Sequence, residues 1–210
     1  MKTILTVAFG AALVGASASA AAADANGAFF VNAGVGQAQY HVGRTNDLGF
    51  RLDDKDTAGA LRFGYAWRVA PAFDLGVEGG YADLGKLVAK YSDGTISSKS
   101  DLGATGWLLG ANGKYHFEKH AYVSARAGWF RSKEKLEASG FDVAHGQSLG
   151  HAGTDGEGNG WYGGVGVGYD FARNFSMGLN YDNYHVKARL EGVTSAVNVG
   201  VFSLSAEYRF

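Results

Sequence analysis

The C-terminal stretch of the chain alternates strictly between apolar and polar residues. Every second residue from Phe202 to Phe210 is apolar, and the residues between them are polar. A period of two predicts a β-strand with one apolar and one polar face. Such a strand fits a closed barrel in lipid, where the sheet leaves no unpaired edge, or the half-buried edge of a soluble sheet. The pattern in the rest of the sequence distinguishes the membrane barrel from the soluble sheet.

The same alternation recurs in seven further segments, so that eight strands are predicted. They cover about residues 27–40, 57–69, 73–81, 102–117, 122–129, 161–171, 175–182 and 197–210. Three-residue turns are predicted at 70–72, 118–120 and 172–174. Long polar loops are predicted at 41–56, 84–101 and 132–160, with a short one at 191–196. Short turns at one end and long loops at the other are typical of outer-membrane barrels.

The polar faces carry more charge than the core of a soluble protein tolerates. We predict that their charged residues form a network in the barrel interior: Arg62, Glu78, Lys114, Arg126, Asp170, Asp182, Glu207 and Arg209. The fold class is therefore all-β, an eight-stranded antiparallel up-and-down transmembrane β-barrel. The alternative is a secreted soluble β protein with the two faces exchanged.

Outward aromatic residues cluster near the strand ends, where membrane barrels carry interfacial belts. The belt at the turns is predicted to contain Trp67, Phe73, Phe117, Phe171, Phe175 and Phe210. The outer belt is predicted to contain Tyr81, Trp107, Trp129, Trp161 and Tyr181.

The N-terminus has the three-part layout of a secretory signal peptide. Lys2 precedes an apolar run, and Ala18-Ser19-Ala20 provides an A-x-A cleavage site. We predict a signal peptide at 1–20 and a barrel domain at 21–210, with cleavage within Ala20–Ala23. A membrane anchor is the alternative, but the run is short and rich in small residues. The predicted location is the outer membrane of a Gram-negative cell.

Composition excludes several functional classes. The 210 residues include 33 glycines, one proline and no cysteine, so neither disulfides nor a thiol nucleophile are present. The 19 basic and 20 acidic residues create no basic field, which argues against nucleic acid as a partner. The sequence indicates no cofactor.

Three short segments carry a resemblance to a known family. They are LGVEGGYADLG at 75–85, YVSARAGWF at 122–130 and SLSAEYRF at 203–210. On these the chain resembles the OmpA-like transmembrane β-barrel domain family and, more loosely, the OmpX/Ail group. Larger family members add a peptidoglycan-binding domain, which has no counterpart here.

The resemblance implies partners and an interior network. The implied partners are outer-membrane lipid including lipopolysaccharide, and the barrel-assembly machinery, which would read the C-terminal signal at Phe202, Leu204, Tyr208 and Phe210. A monomer is implied. Family members hold a carboxylate–guanidinium network in which Glu78 and Arg126 occupy two places. Other family charges are replaced by Asn112, Gly168 and Gly178, and Lys114, Asp170 and Asp182 stand nearby as substitutes.

The family and the charged long loops suggest a structural or surface-interaction role, that is, adhesion or host contact. A narrow porin-like channel for ions or small solutes is the alternative, because inward glycines leave room for water.

A lipid-modifying enzyme is the second alternative. It would need His185 near Ser203 or Ser205, but Lys187 stands where lipid A deacylases place serine, so we expect no enzyme. His145 and His151 with Asp142 and Asp155 match no metal-ligand spacing, so no metal site is predicted.

A glycine motif in the sixth predicted strand is also weak. Gly164, Gly166 and Gly168 lack the third glycine of a nucleotide loop, because Tyr169 stands there. We interpret them as inward small residues.

Overall fold

The computed structural model describes residues 26–41, 50–53, 55–92, 96–117, 120–142, 145, 147–190 and 193–210. The predicted signal peptide, 1–20, and the cleavage region up to Ala23 lie outside the described residues. Among the described residues, no helix is long and apolar enough to cross a membrane.

Nine strands make up the described structure. They are β1 (Gly27–His41), β2 (Phe50–Asp53), β3 (Lys55–Ala70), β4 (Phe73–Ser92), β5 (Ile96–Phe117), β6 (Ala121–Asp142), β7 (Gln147–Asp170), β8 (Phe175–Leu190) and β9 (Val193–Arg209).

All strands except β2 form a closed antiparallel ring of eight. The order is β4-β3-β1-β9-β8-β7-β6-β5, and β5 pairs again with β4. The first and last strands close the ring from Phe30 opposite Arg209 to His41 opposite Asn198, and the Phe210 amide donates to the Phe29 carbonyl at 2.9 Å. Closure leaves no sheet edge within the ring. This is required in a membrane, because hydrocarbon cannot pair with backbone amide and carbonyl groups. The predicted fold class is confirmed.

The outside of the ring is apolar where the strands span the membrane. Large hydrophobic side chains remain exposed there, Leu109 at 63% and Phe202 at 59% of their surface. The residues of both predicted aromatic belts point outward, and pairing aligns Tyr81 with Trp107 and Trp129 with Trp161. A water-soluble barrel would bury these side chains, so this face is suited to lipid.

The three predicted tight turns lie between strands, as expected. Pro71 and Ala72 join β3 to β4, and 171–174 separate β7 from β8. Of the predicted turn at 118–120, only His120 is among the described residues, where it precedes β6. In the last of these turns the amides of Phe171 and Ala172 both donate to the Phe175 carbonyl, at 3.0 and 3.1 Å.

The prediction of long loops is wrong over much of their length. The segment 84–101 contains the end of β4 and the start of β5, and 132–160 contains the outer halves of β6 and β7. In 41–56, β2 and the start of β3 are strand, and in 191–196, β9 begins at Val193. The outward side chains of these segments face water rather than lipid, so they are polar and the apolar alternation that identifies a membrane strand is lost.

Strands β4 to β7 continue beyond the outer aromatic belt and form what we call the projecting sheet. It comprises 86–92 of β4, 96–103 of β5, 131–142 of β6 and 147–160 of β7, with β2 paired to β4 at one margin. Its outward side chains are exposed and polar, among them Lys86, Arg131, Lys133, Lys135, Glu157 and Asn159.

A glycine bulge marks the point where β4 enters the projecting sheet. The register with β5 shifts between Asp83 and Lys86, and Gly85 has a φ of 72°, in the left-handed region that favours glycine. The Lys86 amide donates to the Asp56 carboxylate at 2.7 Å, and the Gly85 amide donates to the Asp83 carboxylate at 2.9 Å. These bonds hold the bulge in place.

The polarity of the interior reverses at the same level. Inward residues at the outer end of the barrel are apolar and form what we call the outer plug: Ala38, Tyr40, Ala58, Ala82, Leu84, Ala104, Leu108, Phe130, Tyr162, Tyr184, Val186, Val199 and Val201. Leu108 lies on the inward face of β5, and Tyr184 and Val186 lie on the inward face of β8. The barrel thus has a polar interior within lipid and an apolar interior within water.

The assignment of the lipid face can be tested with one charge. Val167 lies on β7 between Phe171 and Trp161 and is 56% exposed. We expect Val167→Arg to lower the free energy of unfolding in bilayers by about 2–4 kcal/mol, because arginine is placed in hydrocarbon. Ser97→Arg, on the outward face of the projecting sheet, is the control and should change it by less than about 0.5 kcal/mol. Equal effects of the two variants, measured by urea unfolding in vesicles, would contradict the assignment.

Candidate functional site

A central ionic cluster occupies the middle of the lumen. The Arg62 guanidinium donates to Asp182 Oδ2 at 3.1 Å and to the Tyr184 hydroxyl at 2.8 Å. Glu78 lies 4.0 Å from Arg62, and Arg126 lies 3.7 Å from Asp182. The four charged groups therefore form one chain, Glu78–Arg62–Asp182–Arg126.

Neutral side chains complete this central cluster. The Tyr162 hydroxyl donates to Glu78 Oε1 at 2.7 Å, and Asn112 Nδ2 donates to Glu78 Oε2 at 2.9 Å. Arg126 donates to Asn180 Oδ1 at 3.1 Å. A buried carboxylate requires such donors, because water that would otherwise solvate it is excluded.

A second ionic cluster lies at the turn end and is centred on Asp74. This carboxylate accepts from Arg68 at 3.1 Å and from Arg209 at 2.9 Å, and it also contacts His116 Nε2 at 3.1 Å. The other His116 ring nitrogen contacts Asp170 Oδ2 at 3.1 Å. Since both nitrogens face carboxylates, a doubly protonated ring satisfies this geometry.

Glu207 extends the turn-end cluster into the lumen. It accepts from Lys114 Nζ at 2.5 Å and from Arg209 Nε at 3.1 Å, and Asn32 Nδ2 donates to it at 3.3 Å. Lys114 also lies over the Tyr122 ring, 4.6 Å from its centroid. The two clusters thus form successive layers along the barrel axis, below the outer plug.

All eight charged residues of the predicted interior network point inward. Arg62, Glu78, Arg126 and Asp182 meet in the central cluster, and Lys114, Asp170, Glu207 and Arg209 meet in the turn-end cluster. Glu78 and Arg126, the two family positions, are joined only through Arg62 and Asp182. Asp182 joins the central chain, whereas Lys114 and Asp170 serve the other cluster. That these residues form a functional site stays a prediction.

The network prediction omitted the residue at the hub of the turn-end cluster. Asp74, Arg68 and His116 all lie on the polar faces of their predicted strands, so alternation alone placed them inward. The tight turn at 70–72 indicates the contact between Arg68 and Asp74, because it places these two residues opposite each other on neighbouring strands.

The four residues of the predicted insertion signal lie on the outside of β9 and just after it. Phe202, Leu204, Tyr208 and Phe210 are each about half exposed, and the rings of Tyr208 and Phe210 meet edge to face at 5.1 Å. Their recognition by assembly machinery stays a prediction.

The described lumen is filled by side chains rather than open. Two cavities of about 10 Å³ each are lined by Arg62 and Asp182 in one case and by Arg126 and Glu207 in the other. Each has room for roughly one water molecule. Above them the outer plug places Phe130 against Tyr184, with ring centroids 5.1 Å apart. This packing is the side-chain filling expected of an eight-stranded barrel.

The arrangement required for the enzymatic alternative is not formed. His185 faces outward, where it stacks on Trp161 at 5.5 Å and contacts Asn198 at 2.8 Å. Ser203 and Ser205 are buried in the lumen on the opposite side of the wall. Nucleophilic catalysis needs the base within hydrogen-bond reach of the hydroxyl, and this pairing cannot provide it.

Two further sets of candidate residues are those of the metal site and of the glycine motif. Asp142, His151 and Asp155 have strand backbone, but their side chains lie outside the described ones, and His145 lies in a turn. Among the described residues, no group of three or more metal-ligating side chains occurs. The glycines of β7 are inward small residues, as predicted: a Cβ on Gly164 would lie 1.9 Å from Asp182 Oδ1.

A closed eight-stranded ring with an apolar outer face and an ionic lumen defines a membrane-spanning β-barrel. The chain belongs to the outer membrane protein beta-barrel domain family, whose model matches residues 8–210. Members of this family reside in the outer membrane. No curated protein sequence matches the chain.

Several solved structures are similar to the chain. The outer membrane protein W of E. coli is 22% identical, with 88% of this chain and 98% of that one covered and a TM-score of 0.38. Ail, the attachment invasion locus protein of Yersinia pestis, in complex with the heparin analogue sucrose octasulfate, is 14% identical, with coverages of 88% and 98% and a TM-score of 0.47. Neisserial surface protein A is 15% identical, with coverages of 87% and 97% and a TM-score of 0.45.

The central cluster should be sensitive to loss of one charge. Asp182→Asn leaves the buried guanidinium group of Arg126 without a counter-charge and Arg62 with only Glu78, 4.0 Å away, so we expect the free energy of unfolding to fall by about 3–5 kcal/mol. Urea unfolding in vesicles measures this. Glu157→Gln, in an exposed pair with Arg131, is the control and should leave it unchanged. If Asp182→Asn has the same free energy of unfolding as the parent, the central chain of ion pairs does not stabilise the barrel.

The filled lumen predicts the outcome of a conductance measurement. The folded barrel in planar bilayers should show no reproducible single-channel steps, because no continuous water path crosses the outer plug and the two ionic layers. Regular unitary steps from repeated, independently purified samples would restore the porin-like alternative. A 16-stranded porin prepared in the same detergent serves as the positive control.

Proposed function

We propose that this chain is a surface-interaction protein of the outer membrane, and that it contacts its partners through the projecting sheet. The observation that carries this proposal is the open edge of β7. Pairing with β8 begins only at Trp161, opposite His185, whereas β6 continues to pair with β7 up to Gln147. Residues 147–159 therefore pair with β6 on one side and with no strand on the other within the described residues, whereas Gly160 still lies beside the His185 carbonyl of β8.

An open edge of this length is a template for strand addition. Unpaired amide and carbonyl groups bind an extended segment of another chain, and proteins that do not use such an edge usually cover or shorten it. Glycines at 153, 156 and 158 alternate with larger residues along this strand, and glycine allows a second backbone to approach closely. The sheet stands beyond the outer aromatic belt, so the edge is accessible from outside the cell.

The outward face of the projecting sheet is charged but largely self-paired. Arg131 donates to Glu157 at 2.9 Å and lowers the pKa of that carboxylate, and Lys133 lies 4.0 Å from the same group. Lys99 contacts Asp101. Exposed pairs of this kind add little affinity. We therefore propose that the backbone of the β7 edge, rather than these charged side chains, binds the partner.

The base of the projecting sheet is rigid. Ser132 donates to Glu134 Oε1 at 3.1 Å and to the Gly158 carbonyl at 3.3 Å. Both side chains are buried, and burial raises the pKa of Glu134. A preformed edge on a rigid base binds with less loss of conformational entropy than a flexible loop.

Removal of the open edge tests the proposal. Lys135 pairs with Asp155, so replacing 136–154 by Asn-Gly shortens the β6–β7 hairpin without changing its register. We expect bacteria that display this variant to lose at least about tenfold in adherence to host cells relative to the parent, because strand addition supplies the contact. Adherence is counted per displayed barrel.

A matched hairpin provides the control. Lys187 pairs with Ala196, so replacing 188–195 by Asn-Gly shortens β8 and β9 while the β7 edge stays intact. This variant should adhere like the parent. If the β6–β7 variant is displayed normally and adheres as well as the parent, the open edge of β7 does not mediate the contact, and the proposal is wrong.

A further inference from the structure

The turn end of the barrel opens into a recess to which all three tight turns contribute. It is lined by the ends of the strands and by Pro71 of the first turn, His120 of the second and Arg173 of the third. Its floor is the Asp74-centred cluster. In outer-membrane barrels the short turns face the periplasm, so this recess is separate from the projecting sheet and the outer plug.

The described lining of the recess has a surplus of positive charge. Three arginines, Arg68, Arg173 and Arg209, line it. Among its described lining residues, Asp170 is the only carboxylate, and one of its oxygens already contacts His116. On the floor, both oxygens of Asp74 are engaged by cationic groups of the cluster.

Several arginine donors have no partner among the described residues. Arg68 contacts Asp74 through Nε only, and its side chain is 52% exposed, so its two terminal nitrogens reach the recess. Arg209 uses Nε and Nη1, which leaves Nη2. Arg173 is exposed in its turn and makes no ion pair with any described residue. Guanidinium groups that keep their forked donors free match the oxygens of phosphate.

Because these three arginines line the same recess, we propose that the turn-end recess is a phosphate-binding site formed by Arg68, Arg173 and Arg209. The Asp74 cluster holds Arg68 and Arg209 in place, and Arg173 closes over the ligand from the turn. The phosphate is carried either by a soluble phosphomonoester or by a phospholipid headgroup of the adjoining leaflet, since exposed Trp67 and Phe73 place the rim at that leaflet. The site does not depend on the proposed function of the projecting sheet.

Titration with inorganic phosphate tests the site in the complete folded barrel. In maltoside micelles we expect saturable NMR shifts of the side-chain Nε–Hε signals of Arg68, Arg173 and Arg209, and none of Arg131 at the other end of the barrel. The double variant Arg68→Gln, Arg173→Gln should weaken binding at least about tenfold. Arg131→Gln should bind phosphate as the parent does.

Because Arg68 contacts Asp74, its replacement also changes the turn-end cluster. A single variant at Arg173 tests phosphate binding with that cluster intact. Arg173→Gln touches no buried group and should weaken phosphate binding on its own, with heat-dependent gel mobility reporting the fold. Unchanged binding in this variant overturns the proposal, and so does the absence of any saturable shift in the parent.

The lipid environment distinguishes the two sources. If nanodiscs of phosphatidylglycerol shift the arginine signals and suppress the phosphate titration, while discs of phosphatidylcholine do neither, the ligand is a headgroup. If inorganic phosphate titrates equally in both, the ligand is a soluble phosphomonoester. Both results support the site.

Discussion

Every part of this structure depends on the need to pair the backbone in hydrocarbon. A spanning strand that leaves an amide or carbonyl group unpaired loses several kcal/mol for each group, so a sheet in lipid has to close. Closure here joins β1 to β9. With eight strands, the closed barrel has a lumen narrow enough for side chains to fill. The inward positions of the membrane-spanning part are then enclosed, and their charges have to pair with one another.

The same constraint weakens where the strands leave the membrane. Beyond the outer aromatic belt water pairs with backbone groups, so the ring is no longer required and β7 separates from β8 at Trp161. Side chains respond to the same change of solvent. Leu84, Phe130 and Tyr184 turn inward and are nearly inaccessible, while Lys133 and Glu157 face out. The outer plug and the outward charges beyond it therefore have the apolar-in, polar-out arrangement of a water-soluble protein, whereas the base of the projecting sheet encloses the polar Ser132 and Glu134.

The sequence predicts the membrane-spanning part well and the rest poorly, for a reason that lies in this change. Alternation placed eight strands and the inward orientation of residues such as Arg62 and Asp182. It could not give their partners, because Arg62 and Asp182 lie on strands that do not neighbour each other and meet only across the closed lumen. It also mistook 132–160 for a loop. Polar outward residues there alternate with glycine and serine, and no apolar face remains to identify a strand.

The layered lumen also separates the two ends of the molecule. Between the recess and the projecting sheet lie two ionic clusters and the outer plug, with cavities no larger than about one water molecule. Among the described residues, no open path joins the two ends. Buried ion pairs contribute little net stability compared with apolar packing, but they fix which residues meet. The four charges of the central cluster thus join strands that lie on different sides of the lumen.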